Sequence, residues 1–323
     1  MVSILIPVYN AAPFLDRCIS SLLAQSCHDW QAIMVDDGST DESLAMLERA
    51  AADDRRIEVV HLPQNSGLSH ARNVALEHVR GDLVCMLDAD DWLSTDALSE
   101  AVAVFQNHPA TDVVLFRFVY VDDQTGEERP FEQASFTVLS GKEAMRRTLL
   151  GWDGIHGVYM VRTDIHQRYP FDETTRVYSD ENAARLHYLS AREVRPCRGT
   201  YYYRQHPSSL THQGIEGYFD RMKANERLLQ AMKEAGVDGD DLSKLYERCW
   251  LGIVDAYYYY TLHRNALTSD ERREVVDKIR GAWAAIDVCC IPRSCRTKFG
   301  YLPLRSSWTL FRLQEEIYFR LRK

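Results

Sequence analysis

Apolar residues run almost unbroken through "VSILIPVY" at 2–9, the pattern of a strand buried on both faces. Residues 13–25 switch to helical spacing, with Phe14, Cys18 and Leu22 on one stripe. "WQAIMVDD" (30–37) is a second strand and ends in two carboxylates. "STDESLAMLERAAA" opens with Ser, Thr and Asp capping chemistry and predicts a helix. "IEVVHLP" (57–63) predicts a third strand, "LSHARNVALEHV" (68–79) a third helix and "DLVCMLDADD" (82–91) a fourth strand. Such alternation predicts βαβ crossovers and a parallel sheet covered on both faces. Ligands of such sheets bind beyond the carboxyl ends of the strands.

From about 112 the rhythm changes. "DVVLFRFVYVDD" and "SFTVL" predict paired strands around the turn "QTGEE". "SGKEAMRRTLL" predicts a capped helix, "GVYMVRTD" a strand and "SDENAARLHYLSA" a helix with acids in its first turn. "REVRPCRGTYYYRQH" is extended again. After about 212 only helical periodicity remains, near 216–236, 240–264, 270–287 and 307–322. The expected division is an α/β domain over 1–212 and a helical region over 213–323. "YYYY" at 257–260 covers every face of a helix, so much of it should pack against other helices.

Length and composition narrow the classes. A chain of 323 residues suits one large or two modest domains. The net charge of −9 excludes a general nucleic-acid binder, which needs excess Lys and Arg. The charge is uneven: residues 293–323 carry eight Lys/Arg against two Asp/Glu. None of the eight Cys forms a CxxC pair, so a zinc ribbon is not expected and reduced thiols in a cytosolic protein are. The start lacks the basic and apolar regions of a signal peptide, and no window of about 20 residues is apolar enough to span a bilayer. A cytoplasmic protein, peripheral on the membrane's inner face at most, is the expected location. In the tail "WTLFRLQEEIYFRLRK", Leu310, Leu313, Ile317 and Leu321 keep helical spacing beside Arg312, Arg320, Arg322 and Lys323. It reads either as an in-plane helix on an anionic membrane or as a helix packed on the body or a second subunit.

Polar residues gather where the sheet rule places a ligand. Tyr9 and Asn10 end the first strand, Asp36 and Asp37 the second, and Asp88, Asp90 and Asp91 the fourth. A D-x-D after a buried strand suits Mg²⁺ or Mn²⁺, which take one or two carboxylates plus substrate phosphates. Neither GxxxxGK[ST] nor GxGxxG occurs, so those phosphate-binding routes are excluded. "NSGLSHARN" (65–73) opens a helix, and its amides with Arg72 suit a diphosphate.

Together "VSILIPVYN", "VDDGSTDES", "NSGLSHARN" and "LDADDW" resemble, in order and spacing, the N-terminal half of family 2 glycosyltransferases with the GT-A fold. The resemblance covers about residues 1–120 and continues more loosely to about 210. It implies a Rossmann-like, mostly parallel sheet flanked by helices, with a helical C-terminal region. It implies a metal-dependent inverting transfer of a hexosyl or N-acetylhexosaminyl group from a nucleotide donor, a UDP-sugar, to a glycan or lipid-linked glycan. Pro7 and Tyr9 would line the nucleoside pocket, Asp37 would accept from the uracil N–H with Asp36 beside it, and Arg72 would approach the base or diphosphate. Asp88 and Asp90 would contact ribose and Mn²⁺ or Mg²⁺, with Asp90 or Asp91 the direct ligand. Arg204 and His206, in "YYYRQHPSS", would reach the diphosphate and the metal or phosphate. The base would be the Asp of a Glu-Asp pair opening a helix after an "FDE"-like segment. Here "FDETTRVYSDENAARL" reads Ser179-Asp180-Glu181, so Asp180 is expected by placement, with Glu181 its rival. The membrane contact and a homo-oligomer complete the expected partners.

Two other functions compete. A sugar nucleotidyltransferase would want a Gly-rich basic loop for a triphosphate, and "IPVYNAAPF" has none. A non-catalytic glycan-binding scaffold of the same fold would have no need of Asp88, Asp90 and Asp180.

Overall fold

In the computed structural model, which describes residues 1–175, 178–206, 215–296 and 307–321, strand β1 (Val2–Val8) is buried at every position. It pairs in parallel with β2 (Trp30–Asp36) and β4 (Leu83–Met86), and β2 pairs in parallel with β3 (Ile57–His61). Successive side chains point to opposite faces, so β1 serves two cores at once. Ile4, Ile6 and Val8 pack with Leu15, Cys18, Ile19 and Leu22 of helix α1 (Ala12–Leu23). Leu5 packs on the other side with Ala71, Ala75 and Leu76 of α3 (Leu68–Glu77). Each such buried Leu or Ile contributes roughly 1.5–3 kcal/mol. Helix α2 (Ser43–Asp53) covers β3, and α4 (Ala97–Asn107) follows the two-residue strand β5 (Trp92–Leu93). The inward stripe of α1 is Leu15-Cys18-Ile19-Leu22; Phe14 sits at its edge, half-buried, against His206.

The second half of the sheet is mixed. Strands β6 (Thr111–Asp122), β7 (Glu128–Pro130), β8 (Leu139–Ser140), β9 (Tyr159–Arg162) and β10 (Glu193–Gln205) join the order β3-β2-β1-β4-β9-β6-β10-β5, with β7 on β6 and β8 on β10. The long β6–β10 pairing is parallel, and β9 lies antiparallel between β4 and β6. The pairings that run longest are therefore parallel, as an α/β sheet flanked by helices requires. The strand that returns along β6 is "ERP", not "SFTVL": Glu128 pairs with Val121, whereas Leu139 pairs with Val194 of β10. Gly126, at φ 71°, makes the tighter turn available. Helices α5 (Gly141–Arg146), α6 (Thr163–Arg168) and α7 (Ser179–Ser190) complete the first of two compact units, Met1–Ser209.

The second unit, Leu210–Lys323, is helical among its described residues: α8 (Ile215–Glu234), α9 (Gly239–His263), α10 (Ser269–Ala285), the short α11 (Arg293–Arg296) and α12 (Trp308–Leu321). A capping box between Thr268 and Glu271 starts α10. Rings dominate its core: Trp250, Tyr257, Trp283 and Phe311 are buried together. Of the tyrosine run, Tyr257 and Tyr260 are buried, Tyr259 stacks on Tyr218 at 4.5 Å, and Tyr258 is exposed but meets Phe319 at 4.6 Å. None of the described helices is long and apolar enough to cross a membrane.

Helix α12 turns Phe311, Gln314, Glu315 and Phe319 inward and leaves Leu310, Leu313, Ile317 and Leu321 exposed. Glu315 is fully buried; Gln314 donates to its Oε1 at 3.1 Å, and Oε2 has no partner. Burial pushes this carboxyl from 4.5 up to about 8. The folded state thus holds a proton that the unfolded chain releases. The associated stability is fully present below about pH 4.5 and is lost as pH rises through about 8. Glu315→Gln supplies the neutral group permanently. Its melting temperature should exceed that of the parent by about 4 °C or more at pH 8.5, and the gain should shrink at pH 5; an equal gain at both pH values would contradict a buried neutral acid.

Candidate active site

The loops after β1 and β2 lace one to the other. Asn10, at φ 49°, accepts from Thr40 N–H at 2.8 Å and donates its own N–H to Ser39 Oγ at 3.0 Å. Ala11 and Ala12 donate to Ser43 Oγ and Asp41 Oδ2. Gly38, at φ 69°, lies so close to Gln64 and Asn65 that a Cβ would sit 2.6 Å from backbone, so the "DDGST" turn requires glycine there. Tyr9 is left half-exposed at this edge, 49% accessible.

The two acids ending β2 point inward. Asp37 accepts the backbone N–H groups of Ser66 at 2.7 Å and Gly67 at 2.9 Å. A carboxylate has about four acceptor positions, so capacity remains for a further donor. Asp36 is fully buried between His61 Nδ1, at 2.8 Å, and the Ser39 N–H. Its carboxylate thus ties β2 to β3 and to the turn that follows. Pro7 is buried within β1, in register with Val35.

The turn after β4 sends its three acids to three partners. Asp88 accepts from Arg72 Nη2 at 2.8 Å. Asp90 Oδ2 lies 2.8 Å from His206 Nε2. Asp91 is buried, accepting from the Tyr201 hydroxyl at 2.6 Å and the Arg204 N–H at 2.8 Å. The same Tyr201 hydroxyl receives the Asp88 N–H at 3.2 Å. Burial, with Asp90 and Asp88 beside it, pushes Asp91 well above the usual carboxylate range. Burial also raises Asp88, against the pull of Arg72 and with that of Asp90. Each Asp91 oxygen thus accepts one hydrogen bond inside the fold.

Arg72, one turn into α3, is 2% exposed. Its Nη2 meets Asp88, and its Nη1 reaches Asp180 Oδ2 at 3.4 Å. Against burial, the two acids raise it above its ordinary value. Two carboxylates thus share the guanidinium. Arg204 is also claimed, its Nε by the Asp90 carbonyl at 2.8 Å and its Nη1 by Asp123 at 2.7 Å.

Asp180 and Glu181 open α7, which the chain enters through Tyr178 at φ 67°, a costly conformation for a bulky residue. Asp180 remains 44% exposed at its side chain and accepts the Glu181 N–H. Glu181 pairs at 2.9 Å with Arg185, which is 1% exposed.

Asp88, Asp180, Glu181 and Arg72 line a cavity of about 270 Å³. Its other walls escaped sequence reasoning: Phe118 and Tyr203, Trp152, His156, Tyr159, His166 and Tyr201. These reach it from elements 30–130 residues apart, and only the run "YYYRQH" hinted at them. Arg17 was also missed; it lies 3.4 Å over the Trp92 ring, which Arg204 covers at 5.2 Å. Among the described residues no group of three or more His, Cys, Asp or Glu is arranged to hold a metal ion.

The family model for Glycosyl transferase family 2 matches residues 3–169. An uncharacterised glycosyltransferase of Bacillus subtilis (strain 168), EpsJ, is 32% identical over 223 residues, covering 65% of this chain. The chain spans 63% of that relative's length. The structure of residues 1–349 of S. aureus TarS in complex with UDP-GlcNAc superposes with a TM-score of 0.73 at 18% identity, covering 98% of this chain and 91% of that one. A mannosyltransferase from Pyrobaculum calidifontis, in complex with GDP-Man and Mn²⁺, gives a TM-score of 0.54 at 15% identity, covering 100% and 87%. At these identities the likeness shows the fold.

Tyr201→Phe should strand the buried Asp91 oxygen and the Asp88 N–H together. It should cost about 1–3 kcal/mol in urea unfolding; an unchanged midpoint would mean the hydroxyl holds nothing.

Proposed function

The chain belongs to glycosyl transferase family 2, and from that membership we propose that it moves a sugar from a UDP-linked donor to a hydroxyl of a cell-surface glycan, with inversion and with a divalent cation. The observation that carries this reading is the Arg72 bridge, by which one buried cation fixes both Asp88 of the D-x-D and Asp180. A scaffold that only held glycan would not need two acids secured on one cavity. The UDP-GlcNAc in the TarS complex supports the donor class.

The residues divide the work. Tyr9 offers a half-exposed ring to the nucleobase, and Asp37 keeps acceptor capacity for a base N–H. Asp180 takes the proton from the acceptor hydroxyl as that oxygen attacks the anomeric carbon, while the bond to the diphosphate breaks and its electron pair leaves with the phosphate oxygen. Glu181 is the weaker candidate, because Arg185 already engages it.

The donor set fits a divalent cation only through substrate. Asp90 and His206 lie together and Asp88 is beside them, whereas Asp91 accepts from Tyr201 and Arg204. One or two protein ligands completed by phosphate oxygens is the usual arrangement for Mg²⁺ or Mn²⁺. When bound, the cation supplies positive charge to the diphosphate leaving group.

The exposed row Leu310, Leu313, Ile317 and Leu321 completes the proposal. It lies in a segment with eight basic and two acidic residues. An anionic lipid surface complements both the apolar row and the charge.

Asp180→Asn should bind UDP as the parent does and lose transfer by about 10²-fold or more. Wild-type transfer by Asp180→Asn with a dead Glu181→Gln would move the base to Glu181. Excess EDTA should abolish transfer and added Mn²⁺ restore it; full activity in EDTA would remove the cation from the reaction. For the tail, the full chain should sediment with phosphatidylglycerol vesicles and not with phosphatidylcholine. Leu313→Asp with Ile317→Asp should abolish that binding, and equal sedimentation of the variant would reject the lipid surface.

A further inference from the structure

The cavity that holds the acids also has an aromatic wall that the division of labour above leaves unused. Trp152, in the segment "GWDGIHG" between α5 and β9, is half-buried and lines it with Asp180 and Glu181. The indole is held in place. The Arg185 guanidinium carbon lies 4.9 Å from its ring centroid, and a Cβ on Gly157 would already stand in contact, 3.5 Å from Trp152 Cη2. Arg185 is fully buried, and its three nitrogens donate to the Thr148 carbonyl at 3.2 Å, Asn182 Oδ1 at 3.1 Å and Glu181 Oε2 at 2.9 Å. The backbone on either side of Trp152 is tied down, by the Asp153 N–H to the Arg147 carbonyl at 2.9 Å and by the Tyr188 hydroxyl to the His156 carbonyl. One helix, α7, thus presents Asp180 and fixes the ring that shares its cavity.

The sheet adds more rings. Phe118 and Tyr120 of β6 alternate onto one face, and the register sets Tyr201 beside Phe118 and Tyr203 beside Tyr120. Phe118, Tyr120 and Tyr203 are half-buried and line the same cavity, with centroids 4.9, 5.7 and 5.9 Å apart. In the order β1-β4-β9-β6 they stand three strands from β1, ~14 Å at the usual strand spacing, so a nucleobase at Tyr9 leaves them to another part of the substrates. Charge narrows the choice. Among the described residues three carboxylates and one guanidinium line the cavity, and two of the acids already face that guanidinium. Burial lowers His156 to about 4 and holds His166 well below the usual imidazole value, so neither adds positive charge at neutral pH. The donor's diphosphate comes with a cation, but a phosphate or carboxylate on the acceptor would find no counter-charge on these walls. A hydrocarbon chain would cover the rings but bring no hydroxyl to Asp180. A pyranose has both an apolar C–H face and hydroxyls at its edge. We infer that Trp152 selects the acceptor, whose terminal residue is a neutral pyranose that lays a C–H face on the indole and turns a hydroxyl to Asp180. The inference rests on the glycosyl-transfer reading of the site and goes beyond it by naming the acceptor's ring and charge.

Saturation-transfer NMR on the full chain, with saturating UDP and Mn²⁺, tests this. The probes are the methyl pyranosides of glucose, galactose, mannose and N-acetylglucosamine, with methyl glucuronide and glycerol 3-phosphate as charged counterparts. At least one neutral pyranoside should receive saturation, strongest on the C–H protons of one ring face, and should bind about fivefold or more tightly than either charged probe. Trp152→Ala should weaken that pyranoside about fivefold or more, and Trp152→Phe should restore most of the loss. Trp152→Leu keeps an apolar side chain without a ring face, and should fail as Trp152→Ala does. UDP affinity and melting temperature should stay those of the parent in Trp152→Leu, which separates lost stacking from a damaged fold. Tighter binding of a charged probe, no binding of any neutral pyranoside while UDP binds, or unchanged pyranoside binding in Trp152→Leu would overturn the inference and leave the transfer reading standing. Failure of the parent to bind UDP would overturn both.

Discussion

A single guanidinium, withdrawn from water, holds the candidate site together. Asp88 and Asp180 face the buried charge of Arg72, and the two acids keep their places because Arg72 lies between them. The pair of contacts ties α3 to the end of β4 and to the start of α7, elements 16 and 108 residues from the arginine. Removing the arginine would leave the two acids facing each other with no positive charge between them. The strand ends, the helix entry and the cavity wall are therefore one electrostatic unit.

That unit was only half legible in the sequence. The β-α alternation over residues 1–100 follows from local periodicity and capping, and the structure reproduces it element by element. The D-x-D, Arg72 and Asp180 were visible as candidates because strand ends and helix starts are local features. Their partners were not. Whether Asp91 faces a ligand or the interior depends on Tyr201 and Arg204, 110 and 113 residues away, arriving on β10. Asp36 depends in the same way on His61 of the neighbouring strand. The cavity histidines carried no local signal: His156 and His166 look like ordinary loop and helix residues until the fold brings both to one cavity.

Helix α12 shows a different limit of periodicity. Leu310, Leu313, Ile317 and Leu321 form one apolar stripe, and Phe311 and Phe319 with Glu315 between them form another. Both stripes have helical spacing, so pattern alone does not say which is buried. The aromatic stripe goes inward because its counterpart is aromatic: Phe311 meets Trp250 at 5.5 Å and Tyr257 at 5.8 Å. Aromatic rings bury more area and gain from edge-to-face contact. That choice carries Glu315 into the core, where it stands protonated, and leaves the aliphatic row outside.

Three acids in four positions would repel one another if they shared one environment. The turn after β4 separates them by direction. The Asp91 N–H closes on the Asp88 carbonyl at 3.0 Å, which turns the chain and points the carboxylates apart. Asp91 goes to a phenol and a backbone N–H, Asp88 to a guanidinium and Asp90 to an imidazole. These partners are not equivalent toward an incoming cation. Releasing Asp88 would take from a buried arginine the nearer of its two carboxylates, and releasing Asp91 would strand a buried phenol and an N–H. Releasing Asp90 leaves an imidazole, which can itself be a metal ligand. Of the three, Asp90 is the acid whose partner least resists exchange.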